Sequence, residues 1–377
     1  MTGSRTYLDH NATAPLRPEA RAAMLAALEA VGNPSSVHAE GRLARAIVED
    51  ARERVADLVG VLPSQVVFTS GATEANAWML GAGWDAALVS GIEHESVLAP
   101  SRRHTRELIH VPVGGDGQVA AASVTYALEK AGGGSRRVLL ALQLANNETG
   151  VVQPVAEAAA LAREQGIVVH TDAVQAAGRI PLDFGSLRVD SLSLSAHKLG
   201  GPKGVGALVL GDGLEVLPLV TGGGQERRRR AGTENVPGIA GFGAAAAAAK
   251  RDLGDMGRIT ALRDRLEREA LEAVPGAKVI GAGARRLPNT TCLAIPGMAA
   301  ETLVIRFDLA GIAVSAGAAC SSGKVGPSTV LAAMGLPDEV ARSAIRVSLG
   351  WSTTVRDVDA FLAAFAAIAG GRQRAVA

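Results

Sequence analysis

The sequence has few aromatic residues, few cysteines and almost no net charge. Aromatic side chains make up 3% of the 377 residues, and only two cysteines occur. Two cysteines cannot build a disulfide framework, which favours a reducing compartment. The 38 Lys and Arg nearly balance the 37 Asp and Glu, which argues against nucleic acid or a membrane surface as a partner. We therefore expect chemistry on a small molecule.

Long apolar segments are also scarce in the sequence. The first ten residues lack the apolar core of a signal peptide, so we expect a cytoplasmic protein. The most apolar low-complexity run, Gly238 to Ala249, is too short to span a bilayer and is typical of a buried helix. A chain of this length exceeds what one hydrophobic core usually supports, which predicts two domains.

Between residues 64 and 210 short β-branched or apolar runs alternate with longer Ala-rich amphipathic stretches. This alternation is typical of parallel βαβ units, with helices on both faces of an α/β sheet. Seven strands are predicted, at residues 66–69, 87–90, 108–111, 138–142, 167–170, 191–194 and 205–209.

The pattern differs on either side of this region. Ahead of it, Ser35 and Ser36 are expected to cap a long amphipathic helix that ends near Gly60. Beyond residue 252 a charged helix is followed by strand-like segments and further helices. We therefore expect a large domain at 15–252 and a smaller α+β domain made of 1–14 and 253–377.

An anion site is suggested by the segment Thr69 to Glu74, which follows a predicted strand and opens a helix. Small residues there allow backbone amides and hydroxyls to approach an anion, and the helix dipole adds to the attraction. An ordinary capped turn, with Glu74 near the positive end of the helix, explains the same residues about equally well.

Two further strands end in residues that suit a cofactor. Asp172 follows the strand at 167–170, at the edge where open α/β sheets bind ligands, and could pair with a pyridinium nitrogen. A helix N-cap is the alternative for this aspartate. Lys198 follows the strand at 191–194 in a Gly-rich turn, where its amine could form a Schiff base with an aldehyde cofactor. A surface lysine is the alternative here, and Lys203 is expected to be one.

The two cysteines have different surroundings. Cys320 lies in a stretch of small and turn-forming residues at 315–328, which predicts an exposed, mobile loop. An exposed thiol near positive groups can be partly ionised and nucleophilic, although an incidental surface cysteine fits as well. Cys292 alternates with its neighbours like a strand residue, so we expect it to be buried and to have no catalytic role.

Taken in order, these motifs resemble those of the cysteine desulfurases, fold-type I pyridoxal-phosphate enzymes of the class V aminotransferase group. The resemblance covers nearly the whole chain and includes further motifs at 7–13, 32–36, 93–94, 146–150, 230–233 and 345–350. It implies a mostly parallel seven-stranded sheet, pyridoxal phosphate as cofactor and a homodimer. It also implies that L-cysteine is converted to L-alanine, with the sulfur passed as a persulfide to acceptor proteins such as an iron–sulfur scaffold.

The resemblance assigns roles to individual residues. Lys198 corresponds to the Schiff-base lysine, Asp172 to the pyridinium partner and His94 to the residue stacked on the ring. Cys320 corresponds to the sulfur acceptor on an extended loop, and Arg346 to the ligand of the substrate carboxylate. The remaining cofactor ligands are Ala72, Thr73, Asn147, which also contacts substrate, Gln175, Ser195, His197 and, from the other subunit, Thr233. No metal ligand is implied.

Two departures from the family pattern and two alternatives accompany this prediction. Ala77 stands where many relatives have a second asparagine, and four arginines occupy 227–230, but neither touches a proposed role. A selenocysteine lyase, or another class V lyase that needs no thiol, is the enzymatic alternative. A catalytically silent scaffold for cluster assembly is the alternative of a different class.

Overall fold

The computed structural model describes residues 5–132, 136–317 and 328–375. Its strands are β1 (Thr6–Tyr7), β2 (Val66–Thr69), β3 (Ala86–Ser90), β4 (Glu107–Val111), β5 (Val138–Ala141), β6 (Val168–Asp172), β7 (Ser191–Ser195), β8 (Gly206–Leu210), β9 (Lys278–Val279), β10 (Thr290–Ala294), β11 (Ile312–Ala313), β12 (Ser315–Ala316) and β13 (Ala344–Ser348). Its helices are α1 (Pro18–Leu28), α2 (Ala39–Val59), α3 (Ala72–Leu80), α4 (Glu95–His104), α5 (Ala121–Ala131), α6 (Val155–Arg163), α7 (Phe184–Leu187), α8 (Val236–Arg251), α9 (Met256–Ala273), α10 (Ala300–Leu309), α11 (Thr329–Ala333), α12 (Asp338–Arg342) and α13 (Val355–Ala375).

The central sheet has the strand order β2-β8-β7-β6-β5-β3-β4. Strands β7, β6, β5, β3 and β4 are parallel, and β8 runs antiparallel to both of its neighbours. Every residue of β2, β3, β5, β7 and β8 is buried, as expected for strands that are covered by helices on both faces. The prediction of a mostly parallel seven-stranded sheet is confirmed, with each strand within two residues of its predicted ends.

Close helix packing covers one face of this sheet. Helix α8 contacts both α1 and α2 there, and the Ala run predicted to be a buried helix forms most of α8. Gly243 of α8 lies against the backbone of Ala51 on α2, so near that a Cβ at this position would be 2.5 Å from the Ala51 Cα. Small residues therefore let these helices approach closely enough to close the core without large side chains.

A second, four-stranded antiparallel sheet has the order β12-β13-β10-β9. Its core includes Phe307 of α10 together with Phe361 and Phe365 of α13, and the first two rings stack with centroids 5.0 Å apart. The N-terminal strand β1 pairs in parallel with β11. The predicted domain boundaries at residues 15 and 252 stay a prediction.

The ends of α2 differ in part from expectation. Gly60 ends the helix in the left-handed conformation (φ 72°), as the sequence predicted. The predicted serine cap is wrong, because the Nδ1 of His38 accepts the hydrogen bond from the Gly41 amide. The Ser35 amide is instead bound by the side chain of Asn33 in a turn that precedes the helix. Among the described helices, none combines the length and the apolar character that a membrane crossing needs.

Candidate active site

A cleft of about 610 Å³ opens at the carboxyl ends of β3, β5, β6 and β7. This is the edge at which open α/β sheets bind ligands. The cleft brings together most of the candidate residues, although the motifs lie far apart in sequence. Those that line it are Ala72, Thr73, His94, Asn147, Asp172, Gln175, Ser195, His197, Lys198 and Arg346.

Lys198 ends a single 3-10 turn, Ala196–Lys198, that follows β7 directly. Its Nζ donates to the carbonyl oxygens of Asn11 at 2.5 Å and Ala12 at 2.9 Å. The buried Asn11 side chain in turn donates to the Asn147 carbonyl and to the Thr290 hydroxyl. The N-terminal segment thus forms one wall of the cleft and holds the lysine amine in place.

Asp172, the last residue of β6, has 9% of its surface exposed. Its Oδ1 accepts the Val174 amide at 2.9 Å, so it caps a turn, but none of the described helices begins there. Its Oδ2 accepts a hydrogen bond from the Asn76 side chain at 2.8 Å. The carboxylate is therefore held from two sides at the edge of the cleft.

His94 caps the N-terminus of α4. Its Nδ1 lies 3.1 Å from the Ser96 amide nitrogen, which donates to it, and 2.7 Å from the Ser96 hydroxyl. Asn76 donates to the same hydroxyl at 2.9 Å. The sequence analysis missed Asn76, and the signal available was a polar residue at a buried position of a largely apolar helix.

The first turn of α3 also lines the cleft, and Thr73 is exposed there. The first amides of a helix have no acceptor within it and can bind an anion. Gly206 of β8 lies so close to the backbone of Gly71 that a Cβ there would be 2.6 Å from it. Glu74 accepts the Ser70 amide and pairs with Arg230 at 3.0 Å, which is what the alternative of a capped turn describes.

His197 lies beside Lys198 in the cleft, and its Nδ1 is 3.2 Å from the Thr13 hydroxyl. Burial, assisted by the positive charge of Lys198, lowers the pKa of His197 to about 4. The imidazole is therefore neutral at pH 7 and has one donor and one acceptor nitrogen.

Arg346 of β13 has 2% of its side chain exposed. The guanidinium donates to Asp9 at 2.7 Å and to the Asn147 carbonyl at 3.1 Å. Its buried Nε has no hydrogen-bond partner among the described residues. A buried donor without an acceptor is costly, and an anionic ligand in the cleft would supply the acceptor.

Glu148 is a second residue that the sequence analysis missed. It is buried, and its Oε2 accepts the Ser328 hydroxyl at 2.5 Å. A Cβ at Gly317 would lie 2.9 Å from the same oxygen. Burial raises the pKa of Glu148 to about 7, against the hydrogen bond from Ser328 and the nearby charges of Arg346 and His94.

Two other residues that the motifs singled out, Thr233 and Cys292, do not line the cleft. Thr233 is exposed and does not line the cleft of its own chain. Cys320 lies outside the described residues, between Gly317 and Ser328. Cys292 is fully buried in β10, and burial raises the pKa of its thiol to about 12, so the prediction of a buried structural cysteine is confirmed.

Known proteins share both the sequence and the fold. The family model for class-V aminotransferases matches residues 6–361. A cysteine desulfurase of Cereibacter sphaeroides is 45% identical over 370 residues, which cover 95% of this chain and 94% of that protein. The chain belongs to the class-V aminotransferases and, within them, to the cysteine desulfurases. The family predicted from the motifs is confirmed.

Solved structures resemble this desulfurase over nearly its whole length. The NifS-like protein from Rickettsia africae has a TM-score of 0.89 and 34% identity, and the match covers 97% of this chain and 99% of that one. A structure of SspA in complex with cysteine has a TM-score of 0.78 and 30% identity, over 91% of this chain and 98% of that one. The predicted fold class is confirmed.

Cysteine desulfurases depend on pyridoxal phosphate, and the residues of the cleft fit that cofactor. A cofactor of this size suits a cleft of about 610 Å³. The lysine amine of Lys198, the buried carboxylate of Asp172 and the amides at the start of α3 match an aldehyde, a pyridinium nitrogen and a phosphate in turn. The cleft therefore contains the donor and acceptor groups that this cofactor requires.

Proposed function

We propose that this desulfurase converts L-cysteine to L-alanine and passes the sulfur on as a persulfide. The observation that carries the proposal is the presence of Lys198 and Asp172 in one cleft, in a chain that belongs to the cysteine desulfurases. The complex of the related SspA with cysteine supports cysteine as the substrate.

The residues around Lys198 would hold the cofactor and move one proton. Pyridoxal phosphate, when bound, supplies an aldehyde that captures amines and a ring that accepts electrons. Lys198 would bind it through Nζ and, once the substrate amine has replaced it, would accept the α-proton of cysteine. Asp172 would keep the ring nitrogen protonated, since a negative partner favours the charged form. His94 would stack on the ring.

Gln175 would donate to the ring oxygen, and the amide is already oriented for it. Arg179 donates to the Gln175 Oε1, while the Gln175 Nε2 donates to the Asn11 carbonyl at 3.1 Å. The Gln175 oxygen is therefore turned towards Arg179, and its NH2 group faces the N-terminal segment that holds the Lys198 amine.

The phosphate would bind at α3 with donors from two subunits of a homodimer. Ala72, Thr73, Ser195 and His197 would supply donors from one chain, and Thr233 of the partner subunit would complete the set. The exposure of Thr233 supports a role outside its own cleft. The segment that contains Thr233 lies beside exposed apolar side chains. The Ala231 amide donates to the Val220 carbonyl, and the neighbouring Leu219 is half exposed. A dimer would cover this apolar surface.

Arg346 and Asn147 would hold the substrate carboxylate. The guanidinium has a planar set of donors, and its Nε has no partner among the described residues. Asp9 would share the arginine with the incoming carboxylate or release it.

The sulfur would pass to Cys320. A bond forms between the Cys320 Sγ and the substrate sulfur, and the bond from that sulfur to the substrate Cβ breaks. The electron pair of the broken bond and a proton stay on the alanine, so that cysteine and a thiol yield alanine and a persulfide. The thiol of Cys292, with a pKa of about 12, is not suited to this attack. An acceptor protein, such as an iron–sulfur scaffold, would then take the sulfur.

Spectra and product assays of Lys198→Ala and Cys320→Ser test the proposal. The wild-type protein should bind pyridoxal phosphate covalently, so that borohydride fixes the cofactor to the chain, and Lys198→Ala should lose both this reaction and alanine formation. Cys320→Ser should keep the absorbance but lose alanine and sulfide production. Lys130→Ala, an exposed lysine of α5, is the matched control.

Two results would contradict the proposal in different ways. A protein that pyridoxal phosphate does not reconstitute would point to a silent scaffold. Unchanged sulfide production by Cys320→Ser would point to a lyase that needs no thiol.

A further inference from the structure

Asn76 is a fully buried polar residue in the middle of α3, with no exposed surface. Its side chain forms three hydrogen bonds, two to residues of β6 and one to a residue of α4. Nδ2 donates to the Asp172 Oδ2 at 2.8 Å and to the Ser96 Oγ at 2.9 Å. Oδ1 lies 2.9 Å from the Nε2 of His170 on β6. Both amide hydrogens and the oxygen are therefore used.

The orientation of this amide is determined from both of its ends. The carboxylate of Asp172 accepts hydrogen bonds only, so the NH2 group must face it. Burial lowers the pKa of His170 to about 3, which keeps its imidazole neutral at pH 7. The His170 Nδ1 lies 2.9 Å from the Ser191 hydroxyl, which can donate to it, and this leaves the proton on Nε2, where it meets the Asn76 oxygen. A flipped amide would place its oxygen against the Asp172 carboxylate and lose that bond.

The same amide determines what Ser96 can do. Because the Ser96 Oγ accepts a hydrogen from Asn76, its own hydrogen is available to the His94 Nδ1 at 2.7 Å. The Ser96 amide donates to that nitrogen as well. With two donors directed at Nδ1, the proton of a neutral His94 lies on Nε2.

We propose that Asn76 is a positioning residue, whose single buried amide fixes the carboxylate of Asp172 and, through Ser96, the Nε2–H tautomer of His94. Its catalytic meaning rests on the proposed function, in which Asp172 and His94 act on the cofactor ring. Asn76 bonds to Asp172 directly and to His94 through the Ser96 hydroxyl. The partner of the ring nitrogen and the group stacked on the ring are thereby set together.

Removing the amide should disturb both side chains, whereas removing the Ser96 hydroxyl should disturb only one. In Asn76→Leu, which keeps a similar volume, Asp172 loses its side-chain donor and Ser96 loses the group that directs its hydrogen. In Ser96→Ala the bond from Asn76 to Asp172 remains, and only the link from Asn76 through the Ser96 hydroxyl to His94 is removed. Gln153→Leu is the matched control, because Gln153 is a buried amide that bonds to Gly117 and Val119 instead.

The tautomer is measured by ¹⁵N NMR of histidine side chains in the full-length protein, with and without added pyridoxal phosphate. His94→Gln assigns the resonances among the seven histidines. We expect the Nε2–H form of His94 in the wild type and in Gln153→Leu. The preference for this form should be weaker in Ser96→Ala and Asn76→Leu, in which the Ser96 amide still donates to Nδ1 but the directed hydroxyl does not.

The effect on Asp172 is measured by the affinity for pyridoxal phosphate and by the pH dependence of the visible absorbance. Loss of a hydrogen bond to a charged group should weaken cofactor binding of Asn76→Leu by roughly 10- to 100-fold and shift its absorbance titration. Ser96→Ala should stay within about threefold of the wild type, since its Asp172 contact is intact.

The proposal is overturned by an Nδ1–H tautomer of His94 in the wild type, or by a preference for the Nε2–H form in Ser96→Ala that is as strong as in the wild type. The role of Asn76 towards Asp172 would be overturned if Asn76→Leu had the wild-type affinity for pyridoxal phosphate and the wild-type absorbance titration. It would also be overturned if Gln153→Leu showed the same losses as Asn76→Leu. If Asn76→Leu does not fold, the His94 tautomers measured by NMR in the wild type and in Ser96→Ala still test the proposal. A wild-type protein that has this tautomer but does not act on cysteine would contradict the proposed function and leave the positioning role standing.

Discussion

One group of polar side chains at the cleft is bonded into a network within the chain, whereas a second group includes the exposed side chain of Thr73. We term the first, made of Asn76, His94 and Asp172, the ring end, and the second, made of Ala72, Thr73, Ser195 and His197, the phosphate end. The ring end obtains its hydrogen bonds within one chain. The phosphate end contains the first amides of α3 and leaves Thr73 exposed. The ring end is thus bonded within one chain, whereas the phosphate end keeps an exposed hydroxyl.

The causes of the pKa shifts can be compared in the same way. Behind the ring end, burial raises the pKa of Glu93 well above its ordinary value and lowers that of His170 to about 3. Near the phosphate end, burial also acts on Glu74, but hydrogen bonds from Arg230 and Ser70 outweigh it and lower its pKa. Burial thus sets the direction of the pKa shifts of Glu93 and His170, and also that of His197, whereas hydrogen bonds and ion pairing prevail at Glu74. Salt should therefore affect the carboxyl of Glu74 more than the buried groups.

The largest loss of stability is expected from Arg52→Met, which affects the segment leading to Thr233. Arg52 is buried and bonds to both carboxylate oxygens of Glu226 at 2.7 and 2.8 Å. Glu226 begins three consecutive left-handed residues with φ of 44°, 57° and 66°, a strained conformation that this pair holds. The variant leaves a buried carboxylate without its partner, so its free energy of unfolding should fall by about 3–5 kcal/mol in chemical denaturation.

The control for Arg52→Met is the double variant Arg52→Met with Glu226→Leu, which removes both charges. It should recover most of the lost stability, because an apolar pair of similar size replaces the buried ions. A single variant as stable as the wild type would show that the pair does not hold this segment.

A large loss of activity is expected at the ring end from Asp172→Asn. The amide keeps the shape of the side chain but carries no charge to hold a proton on the ring nitrogen. Alanine formation should fall on the order of 10²–10³-fold, while pyridoxal phosphate stays bound. Steady-state kinetics and the absorbance spectrum measure the two effects, with the exposed Asp183→Asn as control. Near-wild-type turnover would mean that the buried network does not act on the ring.

The pH dependence of stability should reveal the buried Glu148 near His94. Its pKa is raised from 4.5 to about 7, so its contribution to stability is fully present below pH 4.5 and is lost as the pH rises through 7. That change is about 3 kcal/mol. Glu148→Gln lacks this titration, and its stability relative to the wild type should rise by that amount between pH 4 and pH 8.

Chemical denaturation across this pH range measures the effect of Glu148→Gln. The exposed Glu157→Gln of α6 is the control, and its stability should follow the wild type at every pH. If the curves of Glu148→Gln and the wild type run parallel, the carboxyl does not titrate near pH 7 in the folded protein.

The sheet and the positions of the motifs could be predicted from sequence, since they depend on local patterns. Short apolar runs gave the strands, and chemically distinctive residues at their carboxyl ends gave Asp172 and Lys198. The serine cap of α2 was wrong because the helix begins after His38, whose Nδ1 accepts the Gly41 amide in place of a serine hydroxyl. Whether a serine caps a helix depends on such competing bonds, which a pattern does not resolve.

The buried network of the ring end could not be predicted, because its bonds join residues far apart in sequence. Asn76 lies 20 residues from Ser96, 94 from His170 and 96 from Asp172 along the chain. Glu148 meets Ser328 at a separation of 180 residues. These contacts follow from the order of strands in the sheet, which composition and periodicity leave open.

The smallest effect is expected at the phosphate end from Thr73→Ala. The side chain is exposed, and other donors, among them the amides at the start of α3, remain when it is removed. Loss of one hydrogen bond worth about 1 kcal/mol should weaken pyridoxal phosphate binding about fivefold, with little change in the absorbance titration. Equilibrium dialysis of the cofactor measures this change.

Thr105→Ala, which removes a hydroxyl at the far end of α4, controls for the loss of any threonine contact. Thr73→Ala and Thr233→Ala should have similar small effects on cofactor affinity. In a mixed dimer of Thr233→Ala and wild-type chains, the cleft of the Thr233→Ala chain faces the wild-type Thr233 of its partner and should bind the cofactor normally. If Thr73→Ala lost as much affinity as is expected for Asn76→Leu, cofactor binding at the phosphate end would depend on single side chains as strongly as it does at the ring end. The phosphate would then be held mainly by side chains, rather than shared among backbone amides and a second subunit.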